Sequence, residues 1–367
     1  MKILEVTFNL AAGGGERFMV DLSNEFAKTH EVVVLTLKDD KLEPEKRQFY
    51  KNDLSAKIIY KNLGLGKGYN LKMLWKVYRA IADEQPDVVH LHLHGVPMYC
   101  ILAICLLNRK TKFYQTIHSD IYNGYTNRFY RFLIRTFGYR DLMGFIALSD
   151  KNYVDLIAEY PDVKATCIVN GRAPIEPTVK FDEVKEEIKG YKKDNNSKVF
   201  IHIARCNPVK NQQLLISSFN KLIADGYNVD LIIVGDLFDS ELGVSLKTQA
   251  CDRIHFIGTR NNISDYMLNS DVFCLSSSFE GMPITMLEAS LAGVPIVSTP
   301  VCGALDLIVD GKNGIKSVDY TEDSYYDALV YSLENYDKLR KYSLNYKNKS
   351  SYTIEACAKK YLDFFKI

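Results

Sequence analysis

Long apolar runs, paired cysteines and an excess of either charge are all missing from this chain of 367 residues. The longest apolar stretch, Val96 to Leu107, is too short to span a bilayer, and it follows three histidines. Met1-Lys2-Ile3-Leu4-Glu5-Val6 reads as a strand rather than a signal peptide, because Glu5 interrupts the apolar run. Eight cysteines occur singly, with no Cys-x-x-Cys pair and no disulfide-type spacing, which points to a reducing cytoplasm. With 46 basic and 45 acidic residues the formal net charge is +1, so charge gives no argument for nucleic acid as a partner. No internal repeat, low-complexity tract or Asp-x-Asp sequence occurs. What is present is 47% hydrophobic residues in a length that suits two domains, each able to bury its own core.

The first half alternates strand and helix. Lys2 to Phe8, Glu31 to Leu37, Asp87 to Leu93, Lys112 to Ile117 and Gly144 to Leu148 read as strands; Glu16 to Lys28, Leu71 to Asp83, Val96 to Asn108 and Asn127 to Phe137 read as helices. Such alternation predicts a doubly wound parallel sheet. Between Asn170 and Lys198 the apolar periodicity stops, and Pro174 and Pro177 precede a Lys/Glu-rich segment that suits an interdomain hinge. A second series follows, with strands at Lys198 to Ile203, Val229 to Val234 and Arg253 to Ile257 around a helix at Asn211 to Ala224. The predicted division is 1–172 and 173–349. Two successive open sheets put ligand-binding loops at the carboxyl ends of their strands.

One block is the most informative. Asp271-Val272-Phe273-Cys274-Leu275 reads as a buried strand, followed by Ser276-Ser277-Ser278-Phe279-Glu280-Gly281-Met282-Pro283-Ile284-Thr285-Met286-Leu287-Glu288 and the strand Val294 to Ser298. Pro283 suits the first turn of a helix. Backbone N–H groups around Met282 to Thr285 then form an anion site at the helix start, with Glu280 in the loop and Glu288 about two turns along. A diphosphate held between two hydroxyl-rich groups, the layout of a nucleotide sugar, fits such a site.

This block resembles the two-glutamate motif of the retaining group-1 glycosyltransferases with the GT-B fold. The resemblance implies two Rossmann-like doubly wound α/β domains facing a central cleft, with the last helix, Thr353 to Phe365, crossing back to join residues 350–367 to the first domain. It implies that Glu280 contacts donor-sugar hydroxyls and Glu288 holds the ribose, with Gly281, Met282, Pro283, Ile284 and Thr285 around the phosphate. Arg205 and Lys210, in Ile203-Ala204-Arg205-Cys206-Asn207-Pro208-Val209-Lys210, resemble the family's cation pair, which neutralises the departing diphosphate. Gly235, Arg260 and Asn261 sit at family-like strand ends. In Val301-Cys302-Gly303-Ala304, Cys302 replaces a common glycine and Gly303 retains the second.

The first half carries weaker signals. Gly13-Gly14-Gly15 lets backbone approach a ligand closely, and the family has a similar glycine pair there, near the acceptor and the reacting phosphate. As a dinucleotide fingerprint the turn is poor, because Phe18 stands at the third glycine position. His118, in Gln115-Thr116-Ile117-His118-Ser119-Asp120, resembles a family histidine near the reacting sugar and is expected to contact the sugar and help stabilise the charged transition state; Asp120 is a weaker candidate. His90, His92 and His94 alternate on one strand face, but no carboxylate is obviously placed to complete a metal shell. Asn170-Gly171 is family-like, whereas Arg172 departs from the usual apolar residue. Arg128, Arg131, Arg135 and Arg140 interleave with aromatics, either as a solvated face or as a surface attracted to anionic lipid.

The resulting expectation is a retaining transferase moving a sugar from a nucleotide diphosphate donor to a glycan or lipid-linked acceptor hydroxyl. It is expected in the cytoplasm, with possible peripheral membrane contact. Beyond the nucleotide-sugar substrate no cofactor is implied, and the missing Asp-x-Asp sequence removes the usual metal site of the other large glycosyltransferase fold. Two further enzymes stay open, an epimerase of the same fold and an NAD-dependent dehydrogenase. A non-catalytic nucleotide-sugar or glycan binder also stays open.

Overall fold

The computed structural model describes residues 1–119, 121–122, 127–346 and 351–366. The chain divides into two compact units, Met1–Ala173 with Ser350–Ile367, and Pro174–Lys349.

In the first unit the strands are β1 (Lys2–Thr7), β2 (Glu31–Lys38), β3 (Ile59–Leu65), β4 (Val88–Leu91), β5 (Lys112–Ile117), β6 (Gly144–Ala147) and β7 (Ala165–Cys167). They form a sheet in the order β3-β2-β1-β4-β5-β6-β7, and every pairing is parallel. The order reverses direction between β1 and β4, which creates a switch point where strand-end loops diverge. Val6, Leu35, Val89, Phe113 and Phe145 contribute to its buried core, as near-continuous apolar strands covered on both faces must. Helix α1 (Gly14–Phe26) follows β1.

The helix Ile354–Phe365 returns to this unit and seals it. Its Tyr361 and Phe365 are buried, and Phe365 packs on Phe26 of α1 at 6.0 Å between ring centres. Arg172 anchors the return: its N–H donates to Tyr352 O (2.9 Å), its carbonyl accepts from Ile354 N (3.1 Å), and its guanidinium pairs with Asp21 at 2.7 Å. The departure from an apolar residue at 172 thus has a structural use.

In the second unit β8 (Lys198–Ile203), β9 (Val229–Val234), β10 (Ile254–Gly258), β11 (Val272–Leu275), β12 (Ile296–Ser298) and β13 (Gly314–Lys316) are ordered β10-β9-β8-β11-β12-β13, again all parallel. Its switch point lies between β8 and β11. Its core is built around Phe200, Phe219, Leu231, Val272 and Tyr325.

Four local expectations need correction. The Lys/Glu-rich segment near residue 185 is not a linker but a helix, Phe181–Tyr191, whose Val184 and Ile188 are buried at amphipathic spacing. The expected helix from 96 to 108 breaks at Cys100 into Val96–Tyr99 and Ile101–Leu107. The strands β3, β7 and β13 carry too little apolar pattern to announce themselves: β3 and β13 are edges, and β7 has only three residues. Finally β4 ends at Leu91. Leu93 takes a left-handed φ of 67° and Gly95 one of 90°, so His94 leaves the alternation of His90 and His92.

Candidate functional site

Two strand-end clusters carry the expected residues, one in each unit. In the second unit, pairing of β11 with β8 sets the loop after β8 beside the loop after β11. Ser278 N donates to Val209 O (2.8 Å) and Ser276 Oγ to Lys210 O (2.8 Å), tying the two loops together. Lys210 Nζ then pairs with Glu280 Oε1, which also accepts from Ser277 Oγ at 2.9 Å. Glu280 Oε2 has no protein partner among the described residues. Both side chains are partly open, 24% for Lys210 and 15% for Glu280, so a ligand can reach the pair while bulk water screens it only partly.

Arg205, at the end of β8, is exposed, and its guanidinium has no partner among the described residues. Its backbone is held, however: Gln212 Nε2 donates to Arg205 O (3.0 Å) and lies 3.4 Å from His202 Nε2. His202 is buried and its Nδ1 is bonded to Cys274 O at 3.0 Å; burial lowers its pKa to about 4 against that bond. His202 and Gln212 are therefore neutral supports under a free cation.

The helix Ile284–Ala292 has Pro283 as its N-cap rather than in its first turn, one residue later in register than the sequence suggests. Gly293 ends it in the left-handed conformation, φ 70°, as a helix C-terminus favours. Glu288 is buried on this helix. Gly303, near the start of the helix Cys302–Leu307, approaches the Gly281–Pro283 loop so closely that a Cβ there would lie 2.7 Å from Gly281 O. A Cβ on Gly235 would lie 2.0 Å from Ala204 O, so that glycine is required by the packing of the β8 and β9 ends. Arg260 donates from Nε to Tyr266 OH (2.8 Å) and pairs with Glu187 (3.4 Å), so a nucleotide contact would compete with these bonds. Asn261 is exposed.

In the first unit Gly13 is the N-cap of α1, and its bare backbone admits the Glu16 carboxylate: a Cβ there would lie 2.2 Å from Glu16 Oε2. Gly14 opens α1. Gly15 similarly admits Leu93 and the ring of His118, whose Nδ1 lies 3.4 Å from the position a Cβ would take. The space left by these two glycines is thus used first by the protein's own side chains. His118 follows β5, is half-buried, and has Nε2 3.2 Å from His92 Nδ1. Burial pushes its pKa well below the usual value, and His92 and His90 push it further. Phe18, the residue that spoils the dinucleotide pattern, packs its ring against both His92 and His118, at 6.4 and 6.1 Å between centres. Asp120 lies outside the described residues.

The missing carboxylate beside the histidines is also found. Register places Glu5 of β1 opposite His90 of β4, and Glu5, His90 and His92 are all fully buried together. Glu5 Oε2 lies 2.5 Å from His92 Nε2, closer than the roughly 3.3 Å separating two ligands of one tetrahedral zinc. These groups are hydrogen-bonded to one another in the structure. His94 instead packs edge-on against Tyr130 at 4.6 Å. Sequence reasoning missed Glu5, Ser277, Gln212 and His202; the one signal for Glu5 was an acid interrupting an apolar strand.

The helix Arg128–Tyr139 buries Tyr130, Leu133, Ile134 and Phe137, while Phe129 and Phe132 are exposed among the arginines. Arg131 pairs with Glu159. Among the described residues no helix is long and apolar enough to cross a membrane.

Comparison with known proteins adds to this geometry. A family model described as glycosyl transferases group 1 matches residues 183–349, and one described as glycosyltransferase family 4 matches residues 12–173. The chain is 27% identical over 284 residues to the UDP-Gal:alpha-D-GlcNAc-diphosphoundecaprenol alpha-1,3-galactosyltransferase of Escherichia coli, covering 74% of this chain and 72% of that one. It is 25% identical over 328 residues to a Campylobacter jejuni alpha-1,4-N-acetyl-D-galactosaminyltransferase whose acceptor is a diNAcBac-PP-undecaprenol glycan, covering 86% and 84%. In fold it is similar to Anabaena HepE in complex with UDP and glucose, with a TM-score of 0.83 at 17% identity, over 100% of this chain and 99% of that one. Two parallel α/β units with a returning helix are the GT-B architecture.

Proposed function

Because the chain belongs to the group-1 glycosyltransferases, we propose that it moves a sugar from a nucleotide diphosphate sugar to an acceptor hydroxyl with retention of configuration. The single observation that carries this reading is the Lys210–Glu280–Ser277 contact beside the start of the helix Ile284–Ala292. Helix-start N–H groups and a free Arg205 give an anionic diphosphate fixed positive charge. Glu280 keeps one oxygen free for sugar hydroxyls, and Lys210 and Ser277 hold the other. Glu288 on the same helix is assigned to the ribose.

In the proposed front-face reaction the bond from the anomeric carbon to the leaving phosphate breaks as the acceptor oxygen bonds to that carbon on the same face. The departing phosphate takes the acceptor proton. Arg205, Lys210 and the helix amides stabilise the charge that grows on it. These cations supply the charge compensation that a metal gives elsewhere, so the reaction is proposed to need no metal. The diphosphoundecaprenol-linked substrates named for two relatives support a lipid-linked or polysaccharide acceptor. The exposed Phe129 and Phe132 among arginines support peripheral contact with an anionic membrane.

Screening UDP-, GDP- and ADP-sugars for thermal stabilisation identifies the donor, since a ligand of the folded state raises its melting point. Product analysis with that donor and a polyprenyl-diphosphate glycan, with and without EDTA, then tests transfer. Stabilisation without transfer to any acceptor would leave a binding protein, and a changed donor in the absence of acceptor would reveal an epimerase.

A further inference from the structure

The polar groups buried under the first unit's switch point form one unbroken hydrogen-bonded chain. Tyr361 OH lies 3.0 Å from Thr116 Oγ1, which lies 2.7 Å from His90 Nε2. His90 Nδ1 reaches Glu5 Oε2 at 3.0 Å, and the same oxygen reaches His92 Nε2 at 2.5 Å. His92 Nδ1 ends the chain on His118 Nε2, 3.2 Å away. Three strands and the returning helix supply it: Glu5 from β1, His90 from β4 with His92 just past its end, Thr116 from β5 with His118 just past its end, and Tyr361 from the helix Ile354–Phe365. All are fully buried except His118, which is half-buried.

Donor accounting assigns every proton that matters. An ionised Glu5 only accepts, so His92 must carry its proton on Nε2. Burial disfavours charge on Glu5, but His90 and His92 outweigh it and hold its pKa down at about 2. Burial likewise lowers His92 to about 4, so at neutral pH its Nδ1 bears a lone pair. His118 Nε2 must therefore donate to it. A neutral His118 is left with its own lone pair on Nδ1, on the side facing Gly15. That nitrogen has no partner among the described residues.

We propose that Glu5 and His92 are positioning residues that lock His118 as its Nε2–H tautomer, so that Nδ1 can only accept a hydrogen bond from a substrate hydroxyl. The relay rests on the transferase reading for its substrate, while the tautomer itself does not. A site built this way selects a donor group: a ligand hydroxyl is bound, and a carbonyl or phosphate oxygen in the same place is repelled by the lone pair. The Phe18 ring packs edge-on against His92 and His118 and helps hold both rings in place.

Nitrogen NMR of the full chain labelled with 15N-histidine tests the assignment without turnover, with His118→Ala identifying the signal. At neutral pH His118 should carry its proton on Nε2 with Nδ1 bare; a proton on Nδ1, or on both nitrogens, overturns the proposal. With the donor found by the thermal screen, Glu5→Gln should lower kcat by roughly 100-fold with little change in donor KM, because the tautomer is no longer enforced. In the His118→Ala background the same substitution should lower kcat no further. An equal loss in both backgrounds would make Glu5 a purely structural residue and also overturns the proposal. If no transfer is found, or Glu5→Gln does not fold, the wild-type NMR result decides alone.

Discussion

Both units run the same strand order through a switch point, yet their strand ends hold opposite kinds of polar chemistry. The second unit exposes an unpartnered Arg205 beside the half-open Lys210–Glu280 pair. The first unit buries its acid completely against His90 and His92; burial lowers the pKa of His92 and of His118, and only His118 reaches outward. An exposed cation can meet a multiply charged ligand at little desolvation cost, whereas a buried carboxylate is tolerated only if every lone pair is bonded. The difference is one of purpose: fixed charge for a diphosphate, and directional hydrogen bonding for a hydroxyl.

The contrast is broken most severely by Glu280→Ala. Turnover should fall by roughly 1,000-fold, the scale of a lost preorganised electrostatic contact, while the melting temperature moves by no more than about 5 °C. Near-normal turnover in a steady-state assay would remove the second unit's ionic cluster from the reaction. Arg205→Ala comes next, with kcat down by about 100-fold and stability little changed, because this side chain is exposed. Arg205→Lys should recover only part of that loss, since an ammonium lacks the planar fork. Glu288→Gln is smaller again: donor KM rises about 10-fold, the equivalent of one charged hydrogen bond, and titration calorimetry with the nucleotide alone should show the same factor.

The mildest test sharpens the comparison through pH. His92 and His118 in the first unit and His202 in the second all have folded pKa values below the ordinary histidine value. The unfolded chain therefore takes up protons first as pH falls below about 6.5. Stability from these rings is complete above that pH and is lost progressively toward pH 4. With His94 also lowered by burial, three such rings near β4 and β5 against one in the second unit predict that amide protection falls more steeply at β4 and β5 than at β8 and β11 over this range, by hydrogen exchange. Equal loss in both units would deny the histidine cluster its special place.

Legibility differed in the same way. The block from Asp271 to Ser298 announces its structure because chemistry and local geometry coincide in consecutive residues: an apolar strand, a polar loop, a proline and a helix with acids at fixed spacing. Within it Pro283 shifted by one residue, and the flanking strands shortened to Val272–Leu275 and Ile296–Ser298. In the first unit the pattern misled. Three alternating histidines suggested one shared face, but the left-handed turn at Leu93 sends His94 to Tyr130. Glu5 looked like an interruption and is the centre of a network, since its partners lie 85 and 87 residues away.

Periodicity along the chain was enough to determine two doubly wound units and the strand-loop-helix carrying Glu280 and Glu288, because those features depend on neighbours in sequence. Strand pairing in space decided the rest. Only the β1–β4 register could put Glu5 beside His90, and only the β8–β11 pairing could bring Lys210 onto Glu280. A carboxylate buried without water takes its meaning from the donors that surround it, and those donors are assembled by the sheet.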